Sequence, residues 1–421
     1  MTDALATIAN GGLQNRRLFL KRGLAFSVAS ALPQTLSAGS TQAIDRPAWM
    51  SVPGDEFSNY GQPSEHEDET IRWKMGNRDA PGSGVSWTPL QDLEGIITPS
   101  GLHFERHHNG VPQIDPKQHE LMIHGLVKKP LMFSIDDLLR YPMQSRICFI
   151  ECGGNSNAGW RSKPIQTPVG YFHGMVSCSE WTGVPLSILL NEAGIKKSAR
   201  WAIAEGGDAA AMNVSIPVDK LLDDCFLALY QNGERVRPEN GYPLRLIVPG
   251  WEGIVNVKWL RRLHLTTEPV MARNETAKYT ELLPSGKAHQ FSFVMAAKSV
   301  ITNPSPGFKM NKSGLYQISG LAWSGRGKIV KVEVSANRGK TWVEAELQAP
   351  VLSKCFTRFR IPWDWQGNNA IICSRATDET GYVQPTRKQL VKQRGQHGYF
   401  HYNAIVNWAI SSNGAIKHVY A

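Results

Sequence analysis

A thiol and a stretch of bare backbone stand together in residues 146–160, "RICFIECGGNSNAGW". An apolar run ends at Cys152, and Gly153 and Gly154 follow at once. A thiolate is both a nucleophile and a soft metal ligand. The two glycines let a bulky group come close to the backbone beside the sulfur. On a strand, Cys148 and Cys152 share one face at roughly 13 Å, too far apart to ligate one small centre together. Cys148 therefore reads as core. Cys152 falls at the strand end, where ligand groups gather in mixed α/β domains.

Other residues narrow the chemistry. The six cysteines, at 148, 152, 178, 225, 355 and 373, are irregularly spaced and read as mostly free, buried thiols. The chain has no Cys-x-x-Cys-His, no four-cysteine zinc pattern and no His-Glu-x-x-His. Arg245 interrupts the apolar strand "YPLRLIVPG" and needs an anionic partner there. Taken alone, Asp208 in a glycine-rich turn reads as a turn residue, and His107-His108 as a solvated pair. Trp251, Trp259 and Trp323 read as core.

The elements that must position these groups follow from periodicity. The chain has 421 residues, 42% of them hydrophobic and 19% charged, which is globular and enough for two or three domains. Residues 44–99, rich in Gly, Pro, Ser and acidic residues, read as an extended arm with one short helix near 90–97. From 100 to 292 strands and helices mix. "HELMIHGLV" alternates as a strand, Ser134 caps a short helix, "RICFIEC" is a strand, and "PLSILLNEAGI" is a helix stopped at Gly194. From 293 to 421 short strands recur with turns between them, the pattern of a β-sandwich. The expected fold class is α+β: a mixed α/β domain followed by an immunoglobulin-like sandwich.

The termini and charge speak to location. Arg16-Arg17, Leu18-Phe19-Leu20-Lys21 and a weakly apolar run read as a twin-arginine export signal over residues 1–43. This route carries folded proteins to the periplasm, commonly because a cofactor is inserted first. Net charge is +10, yet no basic block is interleaved with aromatics, so nucleic acid is not expected. No stretch approaches the roughly 20 apolar residues of a spanning helix.

Five segments in order, "TPSGLHFERHHNGVPQID", "FIECGGNSNAGW", "EGGDAAAMNVSIP", "NGYPLRLIVPGWEGIVNVKWLRRL" and "GLAWSGRGKIVKVEVSANRGKTW", resemble the signature segments of the sulfite oxidase family of molybdenum enzymes. The "ECGGNS" pattern is similar to members acting on sulfane sulfur in the thiosulfate-oxidising Sox system. The resemblance implies a molybdopterin-binding domain over 100–292 and a dimerising sandwich over 293–421. It implies molybdenum-molybdopterin as cofactor, with no haem in this chain. Cys152 would bind the metal. Phe104, Arg106, His108, Asp208, Asn240, Arg245, Asn256, Val257 and Lys258 would hold the pterin and its phosphate, the two asparagines each donating a hydrogen bond. Arg106 and Tyr279 would join Cys152 at the reacting face.

The resemblance further implies oxygen-atom transfer from water to a carrier-bound sulfane sulfur. Electrons would pass to a c-type, dihaem cytochrome subunit in an α2β2 assembly. In the resemblance Ser156 and Asn157 replace a pair of arginines, and the family's C-terminal arginine aligns near Ala409, so these cations are missing, which disfavours a small dianion. Trp160 and Arg161 are candidates to compensate. The alternative is a periplasmic sulfite:cytochrome c dehydrogenase. A methionine sulfoxide reductase would lack the sandwich, and a cofactor-free binding protein would lack molybdenum.

Overall fold

The computed structural model describes residues 10–14, 47, 50, 52, 53 and 56–420. The export motif with Arg16, Arg17 and Lys21 lies outside the described residues.

The arm differs from the sequence expectation. β1 (Trp73–Gly76) and β2 (Gly84–Trp87) form an antiparallel hairpin, and β3 (Arg106–His107) adds to β2. β1 is exposed along its whole length, so no alternation marks it. Residues 90–97 form turns and bends instead of a helix. Pro89 opens that stretch, Gly95 takes φ +75°, and Leu90 is the residue it buries fully.

The mixed domain follows. β4 (Glu120–Gly125) and β5 (Leu131–Ser134) lead to α1 (Ile135–Leu138), where Ser134 and Asp137 cap each other's backbone N–H. β6 (Gln144–Glu151) is the strand that carries the thiol motif, followed by α2 (Val169–His173) and β7 (Val176–Pro185). α3 (Leu186–Ala193) ends at Gly194, which takes φ +71° as a left-handed cap. Next come β8 (Trp201–Gly206), β9 (Asn213–Pro217), α4 (Val218–Asp223), β10 (Phe226–Gln231), β11 (Glu234–Arg235), β12 (Arg245–Ile247) and β13 (Leu260–Thr266). One sheet runs β5-β4-β13-β8-β9, and another runs β11-β10-β7-β6 with β12 on β10. Between them Leu121, Leu186, Leu189, Leu227, Leu246 and Leu263 are wholly buried. Each such side chain contributes about 1.5–3 kcal/mol. That packing holds β12 through Leu246, while β6 packs through Phe149 into the sandwich core and through Cys148 and Ile150 against Trp181, Phe226 and Ile247.

α5 (Arg273–Ala277) and the hairpin of β14 (Thr280–Leu282) and β15 (Ala288–Gln290) lead into the second unit. Its strands are β16 (Lys298–Asn303), β17 (Gly314–Trp323), β18 (Ile329–Ser335), β19 (Val343–Glu344), β20 (Glu346–Leu347), β21 (Thr357–Trp365), β22 (Ala370–Asp378), β23 (Asn407–Ile410) and β24 (Ile416–Val419). They form sheets β16-β17-β21-β20 and β19-β18-β22-β23-β24. Alternate residues such as Val332, Val334, Phe359 and Ile361 point inward, giving an immunoglobulin-like sandwich. Its core is continuous with Phe149, Val176 and Cys178 of the first domain.

α6 (Arg387–Arg394) sits between β22 and β23. The loop after it leaves the sandwich and returns to the end of β6, where the His401 N–H donates to Gly153 O at 2.8 Å. Leu13 bridges to Trp363 on the sandwich. Among the described residues no helix is long and apolar enough to cross a membrane.

Candidate active site

β6 delivers Cys152 to a turn closed by two backbone bonds, Cys152 N–H to Met175 O at 2.9 Å and Asn155 N–H to Cys152 O at 2.8 Å. All six cysteines are free thiols, and Cys152 alone is not fully buried. A Cβ on Gly153 would come within 2.8 Å of Glu252 Oε2, and one on Gly253 within 3.1 Å of Glu151 O. Gly253 thus lets its segment approach the backbone of Glu151 and Cys152, while Gly153 leaves room for the Glu252, Tyr279 and Phe400 side chains. Burial pushes the Cys152 thiol up, partly offset by the Gly154 N–H and Arg106.

One cavity beside the thiol is lined by Phe104, Arg106, His108, Cys152, Asp208, Asn240, Arg245, Asn256, Val257, Lys258 and Tyr279, with Met212 and Trp259. Every residue singled out from the sequence as catalytic or cofactor-binding faces this space. It meets a wider cleft of about 1940 Å³ at Arg106, His108, Cys152, Met212 and Tyr279.

The inner end is cationic. Arg245 is 5% exposed, donates to Asn240 O at 2.8 Å and Asn256 O at 3.2 Å, and lies over Trp181. Lys258 Nζ meets Arg106 O, Glu239 O and His107 Nδ1. Neither cation has a carboxylate within ion-pair distance among the described residues. Burial alone pulls Arg245 down to about 9, and burial with Arg245 pulls Lys258 down as well. Two poorly solvated cations aimed at one cavity call for an anion.

Individual side chains depart from expectation. Asn256 Oδ1 accepts the Val248 N–H, and its amide donates to Trp251 O and Glu252 O, so it holds the turn instead of donating into the cavity. Asn240 donates to Gln231 and Ser100 O, leaving a buried, unpartnered Oδ1 at the cavity. Asp208 both lines the cavity and caps its turn through the Met212 N–H. His107, read as solvated, is buried between Glu105 and Lys258. Burial, with Arg106 and Lys258, holds His108 neutral near 4.

The outer end is aromatic. Tyr279 lies 3.4 Å from where a Gly153 Cβ would sit. Phe400 stacks on Tyr279 at 4.6 Å, and Tyr399 meets Phe400 edge-on at 4.8 Å. Arg106 is tied to Gly84 O of β2, so the hairpin of the arm forms one wall of the cleft. Ser156 is 2% exposed with its hydroxyl bonded to Lys298 and His173, and it borders the cleft together with Asn157. Trp160 is core, edge-on to Tyr402, and Arg161 is exposed at the cleft wall. Ala409 pairs with Ile371 within the sandwich and is not among the cleft residues. The C-terminal contribution is instead Tyr399, Phe400 and His401, the last bonded to Glu252 at 3.0 Å. Sequence reading missed this loop, although its glycine-flanked aromatics, "GQHGYFHY", were a usable signal.

A soft thiol, two buried cations without counterions, a lone acceptor and closely approachable backbone fit a sulfur-ligated cofactor carrying a phosphate. Comparison agrees. Residues 108–274 match the oxidoreductase molybdopterin-binding domain, and residues 289–408 the Mo-co oxidoreductase dimerisation domain. The sulfane dehydrogenase SoxCD from Paracoccus pantotrophus is 42% identical with a TM-score of 0.87, covering 91% of this chain and 100% of that one. Mitochondrial sulfite oxidase of Mus musculus is 31% identical over 322 residues, 69% of this chain and 58% of that enzyme. An NADH nitrate reductase of Ulva prolifera is 31% identical over 278 residues, 59% of this chain and 32% of that enzyme. The chain thus spans between a third and three-fifths of these curated relatives. This is a molybdopterin-binding fold with a thiol, Cys152, at the edge of its cationic cavity. The chain belongs to the sulfite oxidase family of molybdenum enzymes, and molybdenum-molybdopterin is its cofactor.

Proposed function

We propose that the protein oxidises a carrier-bound sulfane sulfur by oxygen-atom transfer, with the oxygen drawn from water and electrons passed to a c-type cytochrome subunit. The cofactor, held through Cys152, supplies the oxygen-atom transfer and takes up two electrons for each atom moved. Arg245 and Lys258 neutralise the cofactor's phosphate, the arginine as a planar fork. Tyr279 is kept protonated by burial and the nearby Cys152 sulfur, so its O–H serves as a donor toward the reacting oxygen. Arg106, anchored by the arm hairpin, places a cation where the inner cavity meets the cleft. Tyr399 and Phe400 line the cleft beside Tyr279, Phe400 holding the tyrosine ring in place.

One observation supports the carrier reading most: the cleft is wide and aromatic at Cys152, and Ser156 and Asn157, which border it there, present no cation to a small dianion. The relative SoxCD is a sulfane dehydrogenase, in keeping with this. Assembly as an α2β2 complex with a dihaem cytochrome, and export to the periplasm by the twin-arginine route, belong to the same proposal. Cytochrome c reduction by purified enzyme tests it, with free sulfite in one arm and a persulfide-loaded carrier protein in the other. Turnover confined to the loaded carrier supports the proposal. Efficient turnover of sulfite with none of the carrier substrate would make the protein a sulfite:cytochrome c dehydrogenase.

A further inference from the structure

A buried polar network behind the thiol turn joins the two domains at the metal position. Glu151, the residue before Cys152, is 2% exposed, and Lys298, the first residue of β16, is 1% exposed. Lys298 Nζ lies 3.2 Å from Glu151 Oε1 and 2.6 Å from Ser156 Oγ. Trp323 sits directly opposite Lys298 in the β16–β17 pair and donates its Nε1–H to Glu151 Oε2 at 2.7 Å. Two cross-strand neighbours of the sandwich thus hold one oxygen each of a carboxylate from the catalytic domain.

The rest of the turn closes on the same groups. Asn155 donates to Glu151 Oε1 at 2.9 Å and to His173 O at 2.8 Å, and its own Oδ1 accepts the Met175 N–H. Ser156 takes φ +63°, a left-handed conformation uncommon for a residue with a Cβ. Its hydroxyl receives Lys298 and lies 2.6 Å from His173 Nδ1. Lys298 donates to Ser156, and the Ser156 hydroxyl bonds Nδ1 of a histidine that burial keeps neutral. Every residue from 151 to 156 except the two glycines and Cys152 itself is held by a side-chain bond from this network.

We propose that Lys298 is a positioning residue for the Cys152 sulfur: the sandwich domain, through Lys298, Glu151 and Ser156, fixes the turn that aims the thiolate at molybdenum. The inference rests on Cys152 as the metal-binding thiol. A ligand's outer partners commonly govern metal affinity by about 10–100-fold, and here they come from a domain otherwise assigned to dimerisation.

The test compares the full-length wild type with Lys298→Met and with the paired variant Lys298→Met/Glu151→Gln. The single change leaves Glu151 buried without its cation and threatens folding. The paired change leaves no buried charge; the glutamine oxygen still accepts from one of Asn155 and Trp323, and the other donor loses its bond. Two quantities are read besides thermal stability: molybdenum retained per chain after dialysis, and alkylation of Cys152 in cofactor-free native protein, located by peptide mass spectrometry. The other five cysteines are buried, so the second readout is specific to the turn.

In the paired variant we expect a folded protein with a slightly lower melting temperature, molybdenum affinity lower by about 10–100-fold and faster alkylation of Cys152. Wild-type metal retention and alkylation in a folded paired variant would overturn the proposal. So would failure of both variants to fold, which would assign the network to stability alone. Absence of molybdenum from the wild type would instead count against the functional reading, and the alkylation rates would still decide the role of Lys298.

Discussion

The Phe400 ring lies on the Tyr279 ring with centroids 4.6 Å apart and planes 22° apart. A loop of the second domain thereby fixes a tyrosine that borders the thiol turn. Phe400→Ala should lower kcat/KM about tenfold, or about 1.4 kcal/mol of transition-state stabilisation, with molybdenum content unchanged. Tyr279→Phe keeps the stack and loses the O–H, so its loss should fall on kcat and reach about 10²–10³-fold. Steady-state kinetics on the two variants check the split.

Glu281 latches that loop. Its carboxylate pairs with Arg394 and accepts the Tyr399 and Phe400 N–H groups at 3.1 and 2.7 Å. Burial acts to raise the Glu281 carboxyl, but Arg394 and the two N–H groups outweigh it and hold it below the ordinary value of 4.5. A depressed carboxylate contributes stability above its unfolded pKa and loses it as pH falls through the folded one. Amides of residues 399 and 400 should therefore exchange faster, after correction for intrinsic rates, once the medium is more acidic than the ordinary carboxylate value. Glu281→Gln should show that fast exchange already at neutral pH. Unchanged exchange in the variant would remove the latch.

Arg245 tests the phosphate end. In cofactor-free protein its buried charge is costly, and the desolvation relieved by Arg245→Met offsets two carbonyl hydrogen bonds of about 1 kcal/mol each. The variant should melt no lower than wild type when cofactor-free, yet retain little molybdenum. Calorimetry and metal analysis read the two halves separately. A cofactor-free variant that melts well below wild type would show that Arg245 is structural.

The two cysteines of β6 should separate cleanly. Cys148 is wholly buried beside Trp181 and Ile247, and burial pushes its thiol up to about 12. Cys148→Ser should cost about 1–3 kcal/mol in unfolding free energy through a poorly paired hydroxyl, with kcat preserved. Loss of turnover at unchanged stability would show that the wrong cysteine had been assigned.

What the sequence revealed depended on where partners lie. β6, α3 and the sandwich strands were legible because burial on one face imposes a period on neighbouring residues. β1 was not, since all four of its residues are exposed and its pairing comes from β2. The helix expected near 90–97 failed because one buried leucine between Pro89 and Gly95 makes no helical face. The inner cavity was legible through resemblance, residue by residue. The inward turn of Asn256 was not, because its partners are backbone groups brought round by the 249–256 turn. His107 looked solvated because Lys258 is distant in the chain; the aromatics around Phe400 marked a loop, but not the distant Tyr279 that it reaches. Residues held by local repetition can be read in one dimension; those held by a contact across the fold cannot.

Sulfur at position 152 must carry the metal for any of this chemistry to follow. Elemental analysis of folded wild type beside folded Cys152→Ser, each assayed for turnover of carrier-bound sulfur, addresses that bond directly. The expected result is about one molybdenum per wild-type chain, with the serine variant inactive and its dimer intact. Wild type devoid of molybdenum, or a serine variant that still turns over, would contradict it.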